Sequence, residues 1–154
     1  MDSVRYVDVF SGTPFKGNAL AVFHGADGLS DEQMADIARW TNLSETTFLM
    51  TPTDPAADYA VRIWTTGGEL PFAGHPTLGS AHAWLEAGGV PAREAAVVQQ
   101  CAAGLVTVRR GDRLAFAAPP LMRSGPVEQS EAQALVAALG LDPEDVVEMA
   151  WVDN

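Results

Sequence analysis

The chain has 154 residues, 20 acidic and 9 basic side chains (a formal net charge of −11), 47% apolar residues and 19% charged ones. This composition supports a packed core and excludes a disordered chain, while the acidic excess repels phosphate backbones and anionic membrane surfaces. The lone Cys101 excludes an intrachain disulfide and a cysteine-based zinc site; together with a start lacking signal-peptide character and no apolar run of about 20 residues, it points to a soluble cytoplasmic protein.

Val4 to Phe10 alternates and then meets Ser11-Gly12-Thr13-Pro14, which predicts a strand ending in a turn. Ala19 to Phe23 is a short apolar run bounded by Gly17-Asn18 and Gly25, and reads as a buried strand. Ser30-Asp31-Glu32-Gln33 fits a capping box, and Met34, Ile37, Ala38 and Thr41 follow at helical spacing. A helix over 31–41 follows, ended by Asn42 in a left-handed conformation. Residues 43–50 and 58–64 return to β-formers. Gly67 to Gly74 reads as a loop delivering a helix from His75-Pro76, with proline at its first position and Gly88-Gly89 as its end. Small residues at Gly79, Ser80, Ala81 and Ala83 give that helix no polar face, so burial all round is expected, inside a sheet wrapped about it.

Strands are predicted at 95–100, 104–109 and 113–117, the last two joined as a hairpin through Arg110-Gly111-Asp112. Pro119-Pro120 and Gly125-Pro126 then punctuate the chain like a domain boundary. Beyond it lie a second possible capping box, Ser130-Glu131-Ala132-Gln133, and a strand pattern at 146–152. About 30 residues are too few to close a core of their own. The expected organisation is one lobe at 1–120 and the start of an incomplete second lobe at 121–154.

Gly74-His75-Pro76 is the most informative stretch for chemistry. Amides at a helix N-terminus are unpaired and carry a partial positive charge, so a carboxylate is a natural ligand; glycine permits close approach and the imidazole adds a donor or relay. The competing role for His75 is a plain cap. Glu45 follows a helix end in the apolar company of Leu43, Phe48 and Leu49. Partial burial can bring such a carboxyl toward neutrality, where it both takes and gives a proton; the competing role is a solvated surface charge. Asn18 and Ser44 are further hydrogen-bonding candidates, Glu69 reads as structural, and Cys101 as a packed thiol. His24 and His82 read as a loop residue and a helix-packing residue. No His-x-x-x-His spacing supports a metal site.

Four ordered blocks carry a resemblance: Tyr6-Val7-Asp8-Val9-Phe10, Phe15-Lys16-Gly17-Asn18-Ala19-Leu20-Ala21-Val22, Asn42-Leu43-Ser44-Glu45-Thr46-Thr47-Phe48, and Glu69 through Gly79 with Gly74-His75-Pro76 inside it. The chain resembles the phenazine-biosynthesis PhzF-like isomerases of the diaminopimelate epimerase-like superfamily. The resemblance implies an α+β fold, each lobe a mixed β-sheet wrapped around a central α-helix, with substrate in the cleft between two lobes and no metal or organic cofactor. It also implies Glu45 as general acid/base, His75 as its assistant, and Gly74, Asn18 and Ser44 as substrate-binding residues.

The expected activity is a cofactor-independent proton shift on a small carboxylic acid. Expected partners are that acid and either a second copy, as a homodimer, or a complementing chain, with no nucleic acid or membrane; the isolated chain is expected to expose an apolar face and to have little activity. A non-catalytic carboxylate-binding or assembly half, or an epimerase or racemase, is the alternative.

Overall fold

The computed structural model describes residues 1–117 and 123–153, which leaves the predicted punctuation at Pro119-Pro120 outside the described residues. The chain divides into two compact units, Met1–Ala117 and Ala118–Asn154.

The first unit is an eight-stranded mixed sheet with two helices. β1 (Ser3–Val9) and β2 (Asn18–His24) pair antiparallel, with Val7 opposite Leu20 and Val9 opposite Asn18. Phe10 ends β1 by taking a left-handed backbone, φ 71°, and Phe15 in the same connection has φ 63°. The Asp8 carboxylate closes this connection by accepting from the amides of Lys16 (3.3 Å) and Gly17 (2.9 Å). Only glycine fits at 17, since a Cβ there would lie 2.1 Å from the Val9 carbonyl oxygen.

Helix α1 (Asp31–Thr41) has the boundaries expected from its capping box: Ser30 accepts from the Gln33 amide, the Gln33 side chain accepts from Ser30, and Asn42 closes the helix at φ 53°. The chain then enters β3 (Thr46–Met50), parallel to β2, and β4 (Tyr59–Trp64), antiparallel to β3. β3 begins at Thr46 rather than near Leu43, because the left-handed turn at Asn42 uses Leu43 to Glu45 to cross from the helix to the sheet. The stretch read as a loop contains a two-residue strand, β5 (Glu69–Leu70), on the edge of β4.

Helix α2 (Gly74–Glu86) packs against β1, β2 and β3 on one side and β6 (Ala96–Cys101) and β7 (Gly104–Arg109) on the other. β6 runs parallel to β4, and β7 continues through the predicted hairpin into β8 (Ala115–Phe116). The period-2 pattern therefore feeds two cores. Leu20, Val22, Leu49, Tyr59, Val61, Ile63 and Val97 pack on the α2 side, while Ala21, Phe23, Phe48 and Trp64 pack with Met34 and Ala38 of α1. Buried polar bonds fix α2 in this cradle: Tyr59 donates to Gln99 Oε1 (3.0 Å), Gln99 Nε2 donates to Thr77 Oγ1 (3.1 Å), and Ser80 donates to Thr47 Oγ1 (2.9 Å).

Three further local expectations change. Pro76 is the third residue of α2, not the first, because Gly74 and His75 already have helical geometry. α2 is not buried all round, since β1 and β8 do not pair with each other and His82 and Glu86 face outward between them. His24 lies within β2 rather than in a loop.

In the second unit β9 (Arg123–Pro126) pairs antiparallel with β10 (Ala150–Asp153), with α3 (Gln129–Leu139) and a turn of 3-10 helix at Pro143–Asp145 between them. The second capping box does not form: Glu128 is the N-cap and makes no side-chain bond. Only two residues separate β9 from α3, so the helix starts before Ser130 can cap it. The strand expected from Val146 begins at Ala150, because the four residues of β9 offer pairing partners only to Ala150 through Asp153.

Candidate active site

Glu45 and His75 are brought together. Glu45 stands immediately before β3, and His75 is the second residue of α2; the parallel pairing of β2 with β3 and the seating of α2 across both strands bring the two within reach. Glu45 Oε2 lies 3.5 Å from His75 Nε2, with side-chain exposures of 18% and 7%. Both atoms are buried and neither has a hydrogen-bond partner. Two polar atoms held this way are costly to leave unsatisfied, which marks this pair, set beside the amino end of α2, as the candidate reacting groups.

The rest of the group surrounds the imidazole. Asn18, at the head of β2, places its amide nitrogen 3.2 Å from His75 Nδ1, and Ser44 donates to Asn18 Oδ1 at 3.2 Å. Ser44, Asn18 and His75 thus form one hydrogen-bonded chain, and the far nitrogen of the ring faces Glu45. Asn18 and Ser44 are solvent-exposed, so the group opens to the surface. Burial pushes the His75 pKa below its ordinary 6.5, with the Glu45 carboxylate partly opposing the shift. Burial therefore favours the neutral imidazole.

Gly74 begins α2, where the first amides have no carbonyl to bond within the helix. Phe116 crowds this end: a Cβ at Gly74 would lie 3.3 Å from its ring, and Phe72 meets Phe116 edge-on at 5.6 Å. Phe10 stands on another side, its ring centroid 6.4 Å from that of His75. Aromatic walls around a donor-rich helix end suit a small anion attached to a flat apolar body.

Glu69 is kept away from this chemistry. It accepts two bonds from Arg62 (2.7 and 2.6 Å), which also donates to Asp31 (2.7 Å) and lies 5.4 Å over the Trp64 ring, so its role is structural as expected. Cys101 is half-buried at the end of β6 and its thiol donates to the Gly104 carbonyl. Among the described residues no group of three or more His, Cys, Asp or Glu is placed to hold a metal, and no helix is long and apolar enough to cross a membrane. The sequence reading missed Asp8, which closes the connection leading into Asn18; its signal is an acid facing Lys16-Gly17 across a hairpin. A separate groove of about 540 Å³, lined by Val7, Phe10, Leu78, His82 and Arg113, opens where the sheet leaves α2 uncovered, and Glu45 and His75 do not line it.

Residues 7–149 match the family described as phenazine biosynthesis-like protein, PhzC-PhzF, and the chain belongs to that family. It is 38% identical over 149 residues to an uncharacterized isomerase of Pasteurella multocida, covering 96% of this chain and 50% of the relative. It is 52% identical over 75 residues to trans-2,3-dihydro-3-hydroxyanthranilate isomerase of Pseudomonas chlororaphis, covering 49% of this chain and 27% of the relative. A PhzF-family phenazine biosynthesis protein of Bacillus anthracis superposes with a TM-score of 0.79 at 26% identity, covering 93% of this chain and 48% of that one. The α+β, diaminopimelate epimerase-like fold expected from the sequence is thereby established. The chain spans half or less of the length of these curated relatives.

Proposed function

We propose that this chain carries the catalytic half-site of a cofactor-independent isomerase that shifts a double bond in a small conjugated carboxylic acid by moving one proton. The observation that carries this reading is the pair of unpartnered, buried atoms, Glu45 Oε2 and His75 Nε2, 3.5 Å apart beside the amino end of α2. The substrate carboxylate binds the first amides of α2, at Gly74 and His75, where the helix dipole favours an anion. Glu45 takes a proton from a carbon next to the conjugated system, and the negative charge spreads toward the carboxylate and the helix end. His75 donates a hydrogen bond to the charge that develops, and Glu45, whose captured proton exchanges with water at the open side of the site, returns a proton to a different carbon, so the reaction is balanced with no other reactant. Asn18 and Ser44 line the entrance and complete the binding surface. The names of the relatives, an uncharacterized isomerase and a trans-2,3-dihydro-3-hydroxyanthranilate isomerase, agree with this reading.

The same reading extends to organisation. Residues after Ala117 begin a second lobe, and a complementing polypeptide or a second copy supplies the far wall of the cleft. The test is to incubate stoichiometric protein with unsaturated cyclic acids such as trans-2,3-dihydro-3-hydroxyanthranilate in deuterium oxide, with and without the remaining half of the Pasteurella relative, and to read deuterium by mass spectrometry. Incorporation at one carbon is expected, increased by the second polypeptide and reduced ~100-fold or more in Glu45→Gln. Absence of exchange under every condition, or an unaltered rate in Glu45→Gln, contradicts the proposal.

A further inference from the structure

We infer that Asn18, held by Ser44, is a positioning residue that keeps the proton of neutral His75 on Nε2, so that the imidazole faces Glu45 as a donor and leaves the carboxylate as the only base. The inference rests on the proposed pairing of Glu45 with His75, and deepens it by separating their roles.

Two constraints act on opposite sides of the ring. At Nδ1, the Asn18 amide nitrogen is 3.2 Å away. An amide nitrogen has two protons to give and no lone pair to receive one, so the Nδ1 it meets must be the bare, accepting nitrogen. The orientation of that amide is in turn set at Oδ1, which accepts from the Ser44 hydroxyl at 3.2 Å. At Nε2, Glu45 Oε2 is 3.5 Å away, and a carboxylate that serves as the base, as the proposed function requires, has only lone pairs to offer. A lone pair on Nε2 would face those of the carboxylate, whereas an N–H would point at them. Both neighbours therefore favour the same tautomer, and burial keeps the ring from resolving the conflict by taking a second proton.

The chemical consequence concerns division of labour. With the proton on Nδ1, a bare Nε2 would compete with Glu45 for the substrate proton. With it on Nε2, His75 has no lone pair at that nitrogen and can only donate, to the Glu45 carboxylate and to charge building up beside it. Asn18 acts here through His75, without contact with the reacting atoms.

The experiment is nitrogen-15 NMR of the imidazole rings in the full 154-residue chain at pH 8, with His75 assigned by loss of its signals in His75→Gln. The wild type is expected to show Nδ1 at the chemical shift of an unprotonated ring nitrogen and Nε2 as the protonated one. Asn18→Asp replaces the donor with an acceptor and is expected to draw a proton onto Nδ1; Ser44→Ala, which frees the amide to rotate, is expected to give a mixture of the two tautomers. A protonated Nδ1 in the wild type overturns the inference whether or not the variants fold, as does an Nδ1 that stays bare in a folded Asn18→Asp. Neither result depends on turnover, so the assignment can fail while Glu45-dependent deuterium exchange stands, and the reverse.

Discussion

At the scale of single residues, the site is a set of small conflicts with water held in place by their neighbours. His75 is 8% exposed, and burial disfavours its charged form more than Glu45 favours it. The unfolded chain therefore protonates this histidine at about 6.5 while the folded chain resists until lower pH. His24 behaves in the same direction, from burial and the nearby Arg5. Stability should be level above the unfolded value and fall as pH drops through about 6.5 toward the folded values, because the unfolded state then binds more protons. Urea denaturation between pH 8 and 5 measures this. His75→Gln should flatten part of the decline, with His24 supplying the remainder; a decline of unchanged steepness in the variant contradicts the account.

Residue identity and residue contact were unequally readable. Glu45 and His75 stand out in the sequence as a carboxylate in apolar company and an imidazole at a helix start, but their 3.5 Å approach follows from strand order and the seating of α2. No local spacing encodes that approach. The bond from Asn18 to the imidazole is equally non-local, whereas Asp8 could have been found, since an acid opposite Lys16-Gly17 is a recognisable hairpin clamp.

At the scale of elements, local signals succeed where the chain satisfies itself. α1 has its expected limits because Ser30, Gln33 and Asn42 close both ends with bonds made within a few residues. The second capping box carries the same letters and fails because β9 delivers the chain to α3 two residues earlier. Tertiary placement overrides the cap preference there.

α2 depends most on its surroundings. It has no side-chain cap, and a bulkier residue at Gly79 would place a Cβ 2.6 Å from Leu20 Cδ2 and 2.9 Å from Val9 Cγ2. Alanine at 79 gains about 1 kcal/mol in helix propensity, yet overpacking against two strands costs about 1–3 kcal/mol and shifts the helix that carries His75. Gly79→Ala is thus expected to lower stability in urea denaturation and to weaken binding of a small carboxylate. A variant as stable as the wild type would show that α2 can move within its cradle.

At the scale of the whole molecule, charge opposes the ligand. The net charge of −11 repels an approaching carboxylate over a distance set by salt, about 30 Å at 0.01 M and about 8 Å at 0.15 M, whereas the favourable helix end acts within its first turn. Raising salt from 0.01 to 0.15 M should therefore speed association with a small carboxylic acid in stopped-flow fluorescence. Slower association at higher salt would point to a cationic patch around the site. The sheet curled around α2 was readable because a helix of small residues needs apolar cover; the outward stripe of His82 and Glu86 was not, since it depends on β1 and β8 remaining unpaired.

The central claim is that a small acid docks at the amino end of α2 beside Glu45 and His75. It is tested most directly by following backbone amide resonances of the nitrogen-15-labelled chain while an unsaturated cyclic carboxylic acid is added. The account predicts that the largest shifts fall on Gly74 and His75, with Asn18, Ser44 and Glu45 next. Shifts that spare these residues and gather instead around Leu78, His82 and Arg113 would contradict it.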